Sequence, residues 1–216
     1  MITAVGVMAR APSSVGKSRL APHLSPDRLR TLRAALLADA LRSLEQVPNV
    51  FVFYTPSDAA EEIALLAGDM PPVPQCAGDL GARMLGALRH LLDERQYEAA
   101  LLVGSDIPLL TASHLNEAAE ILQASGGLAV GPADDGGYYL IGMTRPHPAL
   151  FDGITWGSDS VLTDTLRTAE RIGLEARLVR SAYDVDTVDD LLRLERDLGW
   201  AAADVCPALR RWFSEV

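Results

Sequence analysis

Cysteine is scarce in this chain. Its 216 residues include only Cys76 and Cys206, far apart and in no CxxC spacing. That excludes a disulfide-stapled miniprotein, and the pair reads as two free thiols of a reducing cytoplasm. Positive charge is also short: 19 Lys and Arg stand against 29 Asp and Glu, a net charge of −10. A chain so acidic lacks the basic excess that displaces counterions from phosphates, which argues against a nucleic-acid partner. No apolar run approaches the length of a membrane span. The first eight residues are apolar, but no basic region precedes them and they run straight into Arg10. They read as a first buried strand rather than a signal peptide, so the expectation is a cytoplasmic protein without a membrane partner. The four histidines, His23, His90, His114 and His147, show neither metal spacing nor a paired nucleophile and receive no role.

What is present is an ordinary globular composition, 49% hydrophobic and 22% charged, enough to bury a core in a single domain over 1–216. Apolar runs bounded by Gly and Pro alternate with longer helical patterns, the signature of an α/β fold with a mostly parallel sheet flanked by helices. Strands are expected at Ile2–Met8, Val50–Tyr54, Ala100–Val103, Leu128–Val130, Tyr138–Met143 and Ala176–Val179. A helix is expected after Ser25-Pro26, where an N-cap and a proline at the first helical position precede Leu29, Leu32, Leu36, Leu37 and Leu41. Further helices are expected at Ala59–Ala67, Gly81–Asp93, Ala112–Gln123, Ser160–Ile172 and Val188–Leu198. Met70–Pro74 reads as a loop. Cys206–Phe213, with Trp200 nearby, packs either on its own domain or on a second subunit in a homodimer.

Open sheets of this kind bind ligands beyond the carboxyl ends of their strands, and the notable residues fall there. The loop after the first strand, from Ala9 to Pro22, carries Arg10, Lys17 and Arg19. It could hold a polyphosphate through backbone N–H groups and cations, or be a solvated basic loop. It nearly spells a P-loop, but Ala11 replaces the first glycine and Pro22 would kink the helix that a P-loop starts near its lysine. The run Leu101–Pro108 is a buried strand ending on Ser105 and Asp106. A carboxylate at such an edge is costly to desolvate unless a cation answers it, and a divalent ion bridging to phosphates is one answer; capping the next turn is the other. In Gly131–Gly142, two carboxylates, Asp134 and Asp135, are followed by Gly136, Gly137, Tyr138 and Tyr139. This is either a ligand site where missing side chains open the backbone or a hairpin turn. In Tyr183–Asp190, an extended chain puts Asp184 and Asp186 on one side, suited to a metal, while Asp189 and Asp190 suit the first turn of the next helix. Asp79 and Arg83 lie at a helix entry, and Trp156 and Ser158 lie in a segment that could close over an acceptor, with Trp156 stacking on a ring or filling a core gap.

This order of segments resembles the nucleotide-diphospho-sugar transferase superfamily of GT-A fold, a Rossmann-like architecture, over nearly the whole chain from Val7 to about Leu198. Gly78–Met84 and Pro132–Gly142 are its most specific parts. Within it the chain looks most like small bacterial proteins known as radical-SAM/selenodomain-associated glycosyltransferases. Lys17-Ser18-Arg19-Leu20-Ala21-Pro22 is also similar to the opening of 2-phospho-lactate guanylyltransferases and, more distantly, of molybdenum-cofactor nucleotidyltransferases. The chain departs from the Gly-x-Gly-x-x-Arg loop of sugar-nucleotide pyrophosphorylases, having no glycine between Val7 and Val15.

The resemblance implies a Mg²⁺- or Mn²⁺-dependent transferase with a nucleotide donor and a small acceptor. Asp106 and either Asp184 or Asp186 would hold the metal. Arg10, Lys17, Arg19, Asp79, Arg83 and Ser105 would meet the nucleotide; Gly136, Gly137, Tyr138, Trp156 and Ser158 would meet the acceptor; and Asp134 and Asp135 would orient it or act as base. Three readings follow. The first is glycosyl transfer from a nucleotide sugar. The second is nucleotidyl transfer from a nucleoside triphosphate with loss of pyrophosphate, where Lys17 and Arg19 would neutralise phosphates. The third is a non-catalytic nucleotide-binding module on the same fold.

Overall fold

The computed structural model describes residues 1–215. One seven-stranded sheet organises them, with β1 Thr3–Arg10, β2 Val50–Thr55, β3 Pro72–Pro74, β4 Ala99–Gly104, β5 Leu128–Pro132, β6 Tyr138–Met143 and β7 Ala176–Leu178. Their spatial order is β3-β2-β1-β4-β6-β5-β7. Every neighbouring pair is parallel except those of β6, which runs antiparallel to β4 and β5. The expected α/β architecture with a mostly parallel sheet is therefore the observed one.

The helices are α1 Pro26–Arg42, α2 Ala60–Ala67, α3 Leu80–Arg89, α4 Ala112–Ser125, α5 Val161–Arg171, α6 Val188–Trp200 and α7 Pro207–Ser214. Their starts follow capping chemistry. Ser25 accepts from the Arg28 N–H ahead of α1, Asp79 accepts from the Ala82 N–H ahead of α3, and Thr187 and Asp190 form a reciprocal capping box on α6. The central strands are buried on both faces. One face packs against Leu37 and Leu41 of α1, Ile63 of α2 and Leu122 of α4. The other packs against Met84 and Leu88 of α3 and Ala169 of α5. A third cluster, with Leu32, Leu194, Leu209 and Trp212, joins α1, α6 and α7.

Two expectations need correction, and the C-terminal stretch takes the first of its two alternatives. Met70–Pro74 is not wholly a loop: Pro72–Pro74 pairs with β2 as an edge strand, where prolines are tolerated because one side of an edge needs no ladder. The helix expected over Gly81–Asp93 is α-helical only to Arg89 and continues as a π turn over His90–Glu94. Cys206–Phe213 contains a helix without a side-chain cap, α7, and it packs on its own chain: Arg28 lies over the Trp212 ring at 3.9 Å, and the indole N–H of Trp212 donates to Arg28 O. Among the described residues, no helix is long and apolar enough to cross a membrane.

Candidate active site

The site forms where β1 and β4 end and the chain between β7 and α6 passes over them. The loop after β1 is pinned from two helices. Arg33 of α1 donates to Pro12 O at 2.6 Å, and Glu62 of α2 accepts from the Ser13 N–H at 3.0 Å. No helix begins at Lys17, so the departure from a P-loop noted in the sequence is real; helix α1 starts at Pro26. Lys17 instead takes a left-handed backbone conformation, φ 56°, and turns its side chain inward, leaving it only 9% exposed. Its Nζ donates to Asp106 at 2.5 Å and to Asp186 at 2.8 Å. Arg19 stands outside, 3.8 Å from Asp186.

The acidic side chains are equally well placed. Asp106 follows the β4 terminus, and its backbone carbonyl accepts from the Val185 N–H, which ties the 183–187 segment to it. Tyr183 and Val185 are buried, so the intervening Asp184 and Asp186 share the opposite side, as an extended chain requires. Asp190, in the first turn of α6, accepts from the N–H groups of Asp186 and Thr187 and fixes the segment's end. Oxygens of Asp106, Asp184 and Asp186 consequently lie within 4.8 Å of one another. The sequence left Asp184 and Asp186 as alternatives; the structure brings both to Asp106.

The electrostatics follow from this crowding. Burial pulls the Lys17 ammonium down, but the Asp106 and Asp186 carboxylates more than reverse that and hold it above the ordinary lysine range. Burial raises the Asp106 carboxyl, and Lys17 overturns that and leaves it below its usual value. Asp184, without the lysine in direct contact, is pushed up to about 6 by burial and then by the charges of Asp106 and Asp135. Three half-buried carboxylates, already attracting one cation, are the hard oxygen donors that Mg²⁺ or Mn²⁺ takes.

Beside the carboxylates lies a cavity of about 310 Å³. Leu80 and Met84 of α3, Tyr138 and Ile141 of β6, Trp156 and Val161 wall it, and Asp106, Asp135 and Asp184 stand among its lining residues. The 131–142 segment is a hairpin, since β5 and β6 are antiparallel neighbours, and its turn also reaches the cavity through Asp135 and Gly137. Gly136 allows this: its φ is +87°, and a Cβ there would meet the Asp159 carbonyl oxygen at 2.2 Å. Trp156 stacks on Phe151, meets Tyr138 edge-on and presses on Gly81, so it serves as cavity wall and core filler together.

The other residues singled out in the sequence are dispersed. Asp134 turns away and pairs with Arg193 at 2.6 Å, whereas Ser158 lines the cavity. Ser105 is half-buried at the β4 end. Asp79 is occupied in capping α3, Arg83 donates to Gly78 O, and Arg10 donates to Val15 O of its own loop. Leu80 and Met84 were not foreseen as walls, nor was the inward turn of Lys17. One signal was available for the latter: Lys17 is the chain's single lysine.

Comparison with known proteins gives consistent relatives. The family model described as "Uncharacterized protein conserved in bacteria (DUF2064)" matches residues 44–158. A phosphoenolpyruvate guanylyltransferase of Roseiflexus sp. (strain RS-1) is 29% identical over 202 residues, covering 92% of this chain and 86% of that one. A 2-phospho-L-lactate guanylyltransferase of Methanothrix thermoacetophila is 26% identical, covering 90% and 84%. Among solved structures, a protein of Desulfovibrio desulfuricans G20, provisionally named a nucleotide-diphospho-sugar transferase, superposes with a TM-score of 0.87 at 31% identity, over 97% of this chain and 94% of that one.

Proposed function

Because the chain belongs to the DUF2064 family and has the fold of nucleotide-diphospho-sugar transferases, we propose that it is a transferase that takes its group from a nucleotide donor, with Mg²⁺ or Mn²⁺, and passes it to a small acceptor. One observation carries the reading: three carboxylates able to share a cation stand at an apolar-walled cavity large enough for a small molecule. Asp106, Asp184 and Asp186 would hold a divalent cation, which would supply Lewis acidity toward a donor's phosphates. Arg19 lies close enough to add positive charge, and Asp135, exposed at the cavity, can accept a proton.

Glycosyl transfer is the first form of this reading, supported by the fold shared with the nucleotide-diphospho-sugar transferase of similar structure. The acceptor oxygen bonds to the anomeric carbon, the bond from that carbon to the diphosphate breaks, and the nucleoside diphosphate leaves with the electron pair while Asp135 takes the acceptor's proton. Guanylyl transfer is the second reading, supported by the extended similarity to two guanylyltransferases. There the acceptor attacks the α-phosphorus and pyrophosphate leaves. A thermal-shift screen of nucleoside triphosphates and nucleotide sugars, with and without each metal, tests both, since a ligand of the folded state raises Tm. The expected result is metal-dependent stabilisation by a nucleotide sugar above its parent diphosphate. Stabilisation by GTP, with pyrophosphate released on adding acceptor, moves the assignment to guanylyl transfer. No response to any nucleotide overturns both.

A further inference from the structure

The cavity's lining has a lopsided charge. Asp106, Asp135 and Asp184 line it, and among the described residues that do so there is no lysine, arginine or histidine. Lys17 is turned into the carboxylates from outside the lining and answers Asp106, so Asp135 and Asp184 are the lining carboxylates without a cation in contact. Apart from Ser158 and short stretches of backbone, the rest of the wall is mostly carbon. Leu80, Met84, Leu102, Ile141 and Val161 are aliphatic, and the polar atoms of Tyr138 and Trp156 are buried away from the cavity surface, so these two residues offer ring carbons. Leu80, at 46% exposure, is an apolar side chain left open to solvent.

A phosphorylated carboxylic acid, the substrate class in the names of the curated relatives, would meet Asp135 and Asp184 here, with no cation in the lining to answer its own charge. A divalent ion on Asp106, Asp184 and Asp186, together with the Lys17 ammonium, would balance those three carboxylates and leave Asp135 as the unanswered charge. We propose that this cavity takes an acceptor with an apolar body that is uncharged or cationic, its reacting hydroxyl directed at Asp135, and that it rejects anionic acceptors of the kind its guanylyltransferase relatives are named for. The inference rests on the transferase reading for the word acceptor, whereas the charge preference belongs to the cavity itself.

Three probes of one shape separate the possibilities: benzyl alcohol, 4-(aminomethyl)benzyl alcohol and 4-(hydroxymethyl)benzoate, with phosphoenolpyruvate as a second anion. Their affinities are read by ligand-observed NMR on the intact protein in saturating Mg²⁺. The neutral and cationic probes should bind about tenfold more tightly than either anion, the scale of one unit charge at close range. Asp135→Asn, at an exposed position whose turn hydrogen bond Asn can keep, should narrow that gap severalfold. Leu80→Trp, also at an exposed position, should fill the cavity and abolish binding of the neutral probe. Equal or tighter binding of an anion, absence of binding by both the neutral and the cationic probe, or full retention of binding by Leu80→Trp would each overturn the inference. The nucleotide screen can fail while this order of affinities holds, and the order can fail while nucleotides still bind, so the two readings fall separately.

Discussion

Asp106 and Gly136 make opposite demands at single positions. Asp106 offers charge: its carboxylate is the one that Lys17 approaches most closely, while its backbone carbonyl, which a substitution leaves in place, holds the 183–187 segment. Asp106→Asn keeps the shape and one acceptor oxygen but removes the charge. It should lower metal-dependent turnover by about 100-fold or more, the scale of losing one preorganised electrostatic contact. Steady-state rates across a Mg²⁺ titration check this, and wild-type turnover in the variant would remove Asp106 from the metal site. Gly136 offers the absence of a side chain. Gly136→Ala forces a methyl against the Asp159 backbone and should cost about 1–3 kcal/mol in denaturant unfolding. Gly157→Ala is the control: it has a similar positive φ but open space around it, so it should cost less. Equal losses would show that conformation alone, and not the close approach of the 155–160 segment, requires glycine at 136. Both residues stood out in the sequence, Asp106 as a carboxylate at the end of a buried strand and Gly136 as one of paired glycines before a strand, although a turn cap and a hairpin turn were the ordinary alternatives. Lys17 was legible only as a basic loop residue, since its partners lie 89 and 169 positions away.

Elements differed in legibility for reasons visible in their local chemistry. Strands β1, β2, β4, β5 and β6 are continuous apolar runs and α1 carries a cap, a proline and periodic leucines, so length and period identify them. Strand β3 is three residues bounded by prolines, and only the exposed edge of β2 makes it a strand. Helix α7 has an N-cap, Cys206, that makes no side-chain capping bond. Its first N–H groups find a partner elsewhere: the buried Asp39 of α1 accepts from Ala208 and Leu209 at 3.0 and 2.8 Å. That makes Asp39 the cap that local sequence could not show. Asp39→Ala should lower stability by about 1–3 kcal/mol by stranding these donors. Burial holds the Asp39 carboxyl above its ordinary value, although the two N–H groups pull the other way. The folded protein therefore keeps this proton longer than the unfolded chain does. Its contribution is complete at acid pH, below the ordinary carboxylate value, and is lost as pH rises through the folded one. Asp39→Asn should accordingly gain on the wild type as pH rises through that window, measured as the difference in denaturation midpoint. The opposite slope would mean that the capping bonds outweigh burial.

Across the whole molecule, the site depends on one cation holding together segments that the sequence keeps far apart. Lys17 joins the loop after β1 to the end of β4 and to the strap before α6, in a chain whose net charge is −10. Removing the ammonium leaves three carboxylates within 4.8 Å of one another and only the exposed Arg19, 3.8 Å from Asp186, to answer them. Lys17→Met retains most of the side chain's bulk, so its effect should report charge. In chelator its Tm should fall below that of the wild type, and added Mg²⁺ should recover the loss, because repulsion that destabilises the empty fold also strengthens cation binding. In the wild type the gain from Mg²⁺ should be smaller, since the incoming ion competes with the ammonium for Asp106 and Asp186. Lysine-selective ¹⁵N labelling gives a direct view, because a chain with one lysine yields one lysine backbone resonance. That resonance should move during a Mg²⁺ titration of the wild type and remain still in Asp106→Asn over the same range. An equal Tm gain from Mg²⁺ in wild type and Lys17→Met, with an unmoved resonance, would show that metal and lysine occupy separate places, and the three carboxylates would then need another explanation.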